Sequence, residues 1–327
     1  MPPTQPHTMQ CMEIWGGNQR VATSVQMPGL DAWIYSRPCT AAPGASARSG
    51  GDIHFLSSCA TGRISRMFIA DVSGHGESVA EIAVTLRRLM GRFSNYVDQA
   101  RFVAAVNRRF AEMQAADDSL AGLFATALVA TFFSPADELT ISNAGHPRPF
   151  WFDSRANRWN PLVAPADPAD SPPRDLPLGV LDDTVYTSSS IRLAPQDLVL
   201  IYTDPLLEAV GPDGRQLGQD GLAGLLASVS PAEPAEFISR LLVRLAAFAG
   251  RTPAPDGDCD FDDDITLLLL RRNDLKPVPS PLLGLRAGAR LAARAVASLF
   301  NPDKPATFPQ LRADSILGSV FDRFHKR

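Results

Sequence analysis

Residues 65–93 read SRMFIADVSGHGESVAEIAVTLRRLMGRF, and how this stretch folds decides the architecture. A short apolar run at 65–70 has the composition of a strand, and it ends in Asp71 and a glycine-rich turn. From Glu77 onward, Val79, Ala80, Ala83, Leu86, Met90 and Phe93 recur with the period of a helix. Gly74 and Gly76 let the chain turn tightly between the two elements. Working outward, 53–57 reads as a strand upstream and 32–35 as the first strand, with an Ala, Gly and Ser-rich loop at 40–49 between them. Downstream, a second helix covers 100–113, and strand-like runs follow at 124–133, 138–143, 149–152, 185–191 and 198–203. Helices at 217–228 and 232–248 precede a buried strand at 264–270. Strands, two helices and then more strands do not alternate as a parallel doubly wound sheet requires, so the class is α+β. Six prolines between 161 and 177 mark an irregular surface crossing.

The chain has 327 residues and 45% hydrophobic content, enough for one large or two ordinary domains with a packed core. Its net charge of −4 argues against a nucleic-acid partner. That charge is unevenly placed: residues 276–327 carry nine Lys and Arg against three Asp, about +6, which leaves about −10 for the rest. Cys11, Cys39, Cys59 and Cys259 form neither CxxC pairs nor zinc-like spacings, and no signal peptide opens the chain, so a cytoplasmic location is expected. No apolar stretch is long enough for a membrane-spanning helix.

Four acidic clusters border β-prone runs: GGD at 50–52, ADVSGHG at 70–76, YTD at 202–204 and FDDDIT at 261–266. Carboxylate oxygens suit hard divalent cations such as Mg²⁺ or Mn²⁺. A pair of such ions would activate a water for in-line attack on a phosphate ester. Cys59 with Arg63 and Arg66 does not make the Cys-x5-Arg loop of a thiolate phosphatase, and no Walker loop is present. Each carboxylate also has a plainer reading, Asp52 for instance as an Asx turn or cap. His75 and His146 pair with no other ligand by spacing and read as loop residues held by hydrogen bonds, Asn143 and Gly145 as turn residues, and Cys259 as a small buried residue.

Taken together, GGDIHFL, IADVSGHG, LFATALVATFF, ISNAGHPRPFWF, LPLGV, LAPQDLVLIYTDPLLEA and DDDITLLLLRR resemble, in order and spacing, the metal-dependent PPM (PP2C-like) serine/threonine phosphatases. The likeness is to the bacterial SpoIIE/RsbU-type branch, which dephosphorylates regulators of sigma factors. It covers roughly residues 28–272. The resemblance implies an α-β-β-α sandwich of two antiparallel sheets flanked by helices. It also implies two Mn²⁺ or Mg²⁺ ions. Asp71 would bridge both, with the carbonyl of Val72 as a neighbouring ligand. Asp52 would serve the second ion, and Asp204 and Asp263 would complete the first site, with Asp264 taking Asp263's place if the register slips by one. Asp71 and Asp52 would then be the residues that support catalysis.

Three positions depart from the family pattern. Pro205 replaces a glycine and is expected to push Asp204 toward extended conformations. Phe55 stands where many relatives carry a further aspartate, and Gln196 replaces a turn glycine. The implied function is hydrolysis of phosphoserine or phosphothreonine on a regulatory protein, such as an anti-sigma-factor antagonist. The alternative is a pseudophosphatase that binds its phosphoprotein without hydrolysis. The expected organisation is an N-terminal extension at 1–27, the phosphatase domain at 28–273 and a Pro-containing linker with a basic amphipathic tail at 274–327. In 282–300, Arg286, Arg290 and Arg294 share one helical face opposite Leu282, Leu285, Ala289, Val296 and Leu299, a pattern that can meet a membrane surface, a partner groove or the acidic body of the protein.

Overall fold

A computed structural model describes residues 6–9, 14–39, 50–59, 62–74, 77–93, 98–162, 173–252 and 263–276. The expected loop at 40–49, His75, Cys259 and the amphipathic tail lie outside the described residues. The strands are β1 (His7–Thr8), β2 (Ile14–Gly17), β3 (Val21–Met27), β4 (Leu30–Arg37), β5 (Ile53–Ser58), β6 (Ile64–Val72), β7 (Ala125–Phe133), β8 (Glu138–Ala144), β9 (Phe150–Asp153), β10 (Arg158–Pro161), β11 (Ser189–Arg192), β12 (Leu198–Tyr202) and β13 (Ile265–Arg272). The helices are α1 (Glu77–Phe93), α2 (Gln99–Ala116), α3 (Pro205–Glu208), α4 (Gly218–Ala227) and α5 (Pro234–Phe248).

One sheet has the order β1-β3-β4-β13-β12-β9-β10 and the other β11-β8-β7-β6-β5-β2. Among the described strands, all pairings are antiparallel except the short parallel contact of β1 with β3. Three apolar layers hold the sandwich together. Phe55, Phe68, Ala70 and Val72 pack beneath α1 and α2. Leu56, Met67 and Ile69 face Ile34, Ile201 and Leu268 between the sheets. Leu200, Tyr202, Leu267 and Leu269 pack beneath α4 and α5. The expected α-β-β-α sandwich is therefore the observed one, and alternation along each strand sorts its side chains between two layers.

The sheets reach into the segment read as an N-terminal extension. β3 pairs with β4 from Val21↔Ser36 to Met27↔Leu30, and β2 closes the edge of β5. The polar, proline-bearing composition of 1–24 hid these strands, which are held by backbone pairing to β4 and β5. β10 was also missed: it returns from a turn in which Asn157 takes a φ of +51°, and it covers the edge of β9. The strand expected at 185–191 is confined to Ser189–Arg192. Gln196 takes a φ of +69°, the conformation glycine adopts without strain, and is held in its turn by Asp197, whose carboxylate accepts from the amide of Ala194 at 2.9 Å and from Trp151 Nε1 at 3.1 Å.

Candidate functional site

Period-two alternation places the acidic residues. On β6, Phe68, Ala70 and Val72 face the helices while Met67 and Ile69 face the opposite sheet, so Asp71 points into the space between the sheets. On β5, Ile53 and Phe55 face the helices, and Asp52, one residue before the strand, takes the same side as Asp71. Opposite them, β12 ends at Tyr202, followed by Thr203 and Asp204, and β13 begins just after Asp263 and Asp264. The two neighbouring strands of each sheet run antiparallel, so all four ends meet at one mouth of the sandwich.

The contacts across that mouth are direct. Thr203 Oγ1 donates to Asp52 Oδ2 at 2.9 Å. Asp264 accepts from the amide of Cys39 at 2.6 Å and from the amide of Gly51 at 2.5 Å, so both of its oxygens hold backbone. Asp263 accepts from the amide of Asp264 at 2.7 Å and is exposed at the rim. A Cβ on Gly50 would lie 2.2 Å from Asp264 Oδ2, and one on Gly51 would lie 3.0 Å from the carbonyl of Val72, so the glycine pair is what lets the turn approach both groups. Asp52 is 3% exposed, and its Oδ1 is buried with no hydrogen-bond partner.

Burial and mutual repulsion raise these carboxyls. Asp71 is pushed up to about 8, by burial first and then by Asp204, Asp263, Asp264 and Glu208. Asp204 rises to about 6 through burial, Glu208 and Asp263. Asp52 lies well above the carboxylate range because of burial, Asp71 and Asp264, with the hydroxyls of Thr266 and Thr203 opposing the rise. A cation among these groups would relieve the repulsion, and the donors are hard oxygens. Among the described residues, no three or more His, Cys, Asp or Glu side chains stand close enough together to hold a metal ion as they are.

Asp204 corrects one expectation. Although it precedes Pro205, its φ and ψ are −59° and −26°, helical rather than extended. The reason is that its carbonyl accepts from the amides of Leu207 at 2.7 Å and Glu208 at 3.0 Å, while Pro205, at the first helical position, has no amide to satisfy. This turn brings Glu208 one helical turn from Asp204. The sequence reading missed Glu208; the DPLLE spacing, i to i+4, was the available signal. Phe55 stacks on Phe68 at 4.2 Å in the helix-facing core and has no part in the mouth. His146 shares a hydrogen bond between Nδ1 and Thr126 Oγ1 at 2.8 Å, and its backbone is clamped by Asn143 at 2.7 and 2.8 Å. Burial lowers its pKa to about 3, so it stays neutral at physiological pH.

No curated protein matches this sequence. Among solved structures, the RsbU and RsbW domains of Rv1364c from Mycobacterium tuberculosis match with a TM-score of 0.58 and 24% identity, covering 86% of this chain and 75% of that one. The SiaA-PP2C domain of Pseudomonas aeruginosa matches with a TM-score of 0.57 and 19% identity, over 74% of this chain and 86% of the other. RsbX, crystallised in complex with magnesium, matches with a TM-score of 0.51 and 14% identity, over 77% of this chain and all of its own. These likenesses establish a PP2C-like fold. The model of the family described as Stage II sporulation protein E (SpoIIE) matches residues 62–273, more than half of the sequence. The chain therefore belongs to the SpoIIE family, and it carries the PP2C-like fold.

Proposed function

We propose that this protein is a Mn²⁺ or Mg²⁺-dependent protein serine/threonine phosphatase acting on a phosphorylated regulatory protein. The observation that carries the reading is the meeting of Asp52, Asp71, Asp204 and Asp263 at one mouth of the sandwich, with Asp52 Oδ1 buried and unpartnered. In this reading Asp71 and the carbonyl of Val72 would help to hold both ions, Asp52 would serve the second, and Asp204 and Asp263 would serve the first. That Asp264 already holds two backbone amides supports Asp263 as the ligand of the pair. When bound, such ions supply a water acidic enough to attack at neutral pH and a positive clamp on the phosphoryl oxygens. The chain's own part is to hold the carboxylates at fixed separations and to leave the rim open to a phosphorylated loop. RsbX, solved with magnesium, supports the class of metal. The RsbU likeness and SpoIIE membership support a regulator such as an anti-sigma-factor antagonist as substrate. A cytoplasmic location belongs to the same reading, and no described helix is long and apolar enough to cross a membrane.

The test is phosphate release from a phosphoserine peptide and from p-nitrophenyl phosphate, with Mn²⁺ or with EDTA, by the purified protein and its Asp71→Ala variant. Hydrolysis is expected only with Mn²⁺ and only with Asp71 in place. A folded protein that hydrolyses neither substrate with Mn²⁺ or Mg²⁺ would instead be a phosphoprotein-binding pseudophosphatase.

A further inference from the structure

The geometry points to Thr203 as a positioning residue that sets the orientation of Asp52 through its hydroxyl, an inference that rests on the metal-dependent reading above. β12 sends Val199 and Ile201 into the layer between the sheets, and Thr203 is the next residue of that parity. β13 sends Leu268 and Leu270 there, with Thr266 continuing the row toward the mouth, and β4 sends Ala32 and Ile34, continued by Ser36. The core between the sheets thus ends in a buried polar row, Ser36, Thr266, Thr203 and Asp52.

The hydrogen bonds of that row have a forced direction. An amide can only donate, so the 2.9 Å contact from the Thr266 amide makes Thr203 Oγ1 an acceptor there. The single hydroxyl proton of Thr203 is left for Asp52 Oδ2 at 2.9 Å, while the competing carbonyl of Thr266 lies farther away at 3.4 Å. Thr266 is itself held, its Oγ1 lying 3.0 Å from Ser36 Oγ. The carboxylate of Asp52 is therefore pinned at one oxygen by a donor fixed to two strands of the opposite sheet. Its other oxygen, Oδ1, is the one without a partner. Thr203 is fully buried, so no water can substitute for the lost donor at low cost.

The experiment measures Mn²⁺ binding by the loss of the free-ion EPR signal, on the full chain and on Thr203→Val and Thr203→Ser, with melting in EDTA as a check on folding. Valine keeps the shape and removes the donor; serine keeps the donor and removes the methyl. Thr203→Val is expected to weaken one of the bound ions by about 10 to 100-fold, the range for groups that orient a metal ligand. Thr203→Ser should stay within about twofold of wild type. In an Asp52→Asn background the valine should add nothing further, because the hydroxyl acts through Asp52. Binding by Thr203→Val equal to wild type, or equal losses in Val and Ser, would overturn the inference alone. Absence of Mn²⁺ binding by the wild-type protein would overturn the metal-dependent reading and this inference with it. If Thr203→Val does not fold, Thr203→Ala gives the same readout; failure of both to fold while Ser folds would assign the hydroxyl to folding and also overturn it.

Discussion

Asp71 and Asp204 hold their protons to higher pH in the metal-free fold than in an unfolded chain. Their folded values of about 8 and about 6 lie above the ordinary carboxyl value near about 3.9. Between those limits the native state binds more protons than the unfolded state, so stability declines as pH rises through the window. In EDTA, the melting temperature is expected to fall between about pH 4 and about pH 8, and saturating Mn²⁺ should abolish or reverse that slope. Melting in EDTA that is flat or rising over this range would show that the carboxylates do not repel one another as the geometry requires. Asp52 and Asp71 were identifiable from sequence because each sits where an apolar run meets a glycine turn. Glu208 and Thr203 were not, since their importance depends on which groups the opposite strand ends bring to them.

At the scale of elements, β5 shows what a departure from the family pattern means. Residues 52 and 55 are three apart, so they point to opposite faces, and a carboxylate at 55 would enter the helix-facing core rather than the mouth. Phe55→Asp is therefore expected to gain no Mn²⁺ affinity and to destabilise the fold by roughly 3–5 kcal/mol, from loss of the stacked ring and burial of a polar group. Mn²⁺ titration checks the first quantity and urea unfolding the second; a variant that binds Mn²⁺ more tightly at undiminished stability would contradict the packing. The short helix α3 carries the complementary lesson. Pro205 alone predicts an extended Asp204, but two backbone hydrogen bonds onto the carbonyl of Asp204 outweigh the local preference.

The whole molecule depends on residues that look expendable in sequence. Deleting residues 1–20 would remove β1 and β2, strip the partner from Ile53–Ser58 and remove the Asn18 carbonyl that accepts from the amide of Gly50 at 2.9 Å. The truncated protein is expected to self-associate through the bare edge of β5 and to bind Mn²⁺ more weakly, as light scattering and titration would register. A monomer with wild-type affinity would show that this segment is an extension after all. The sequence by itself determined the α+β class, the order of most strands and helices, and the acidic residues, because side-chain periodicity and the punctuation of apolar runs by glycine and aspartate are local properties. Only the tertiary structure decided that β1, β2 and β3 join the two sheets, that Asp204 is helical, that Glu208 and Thr203 belong to the mouth and that Asp264 holds backbone. Each of these depends on hydrogen bonds or charges from groups distant in the chain, or on a backbone geometry that local preference does not set.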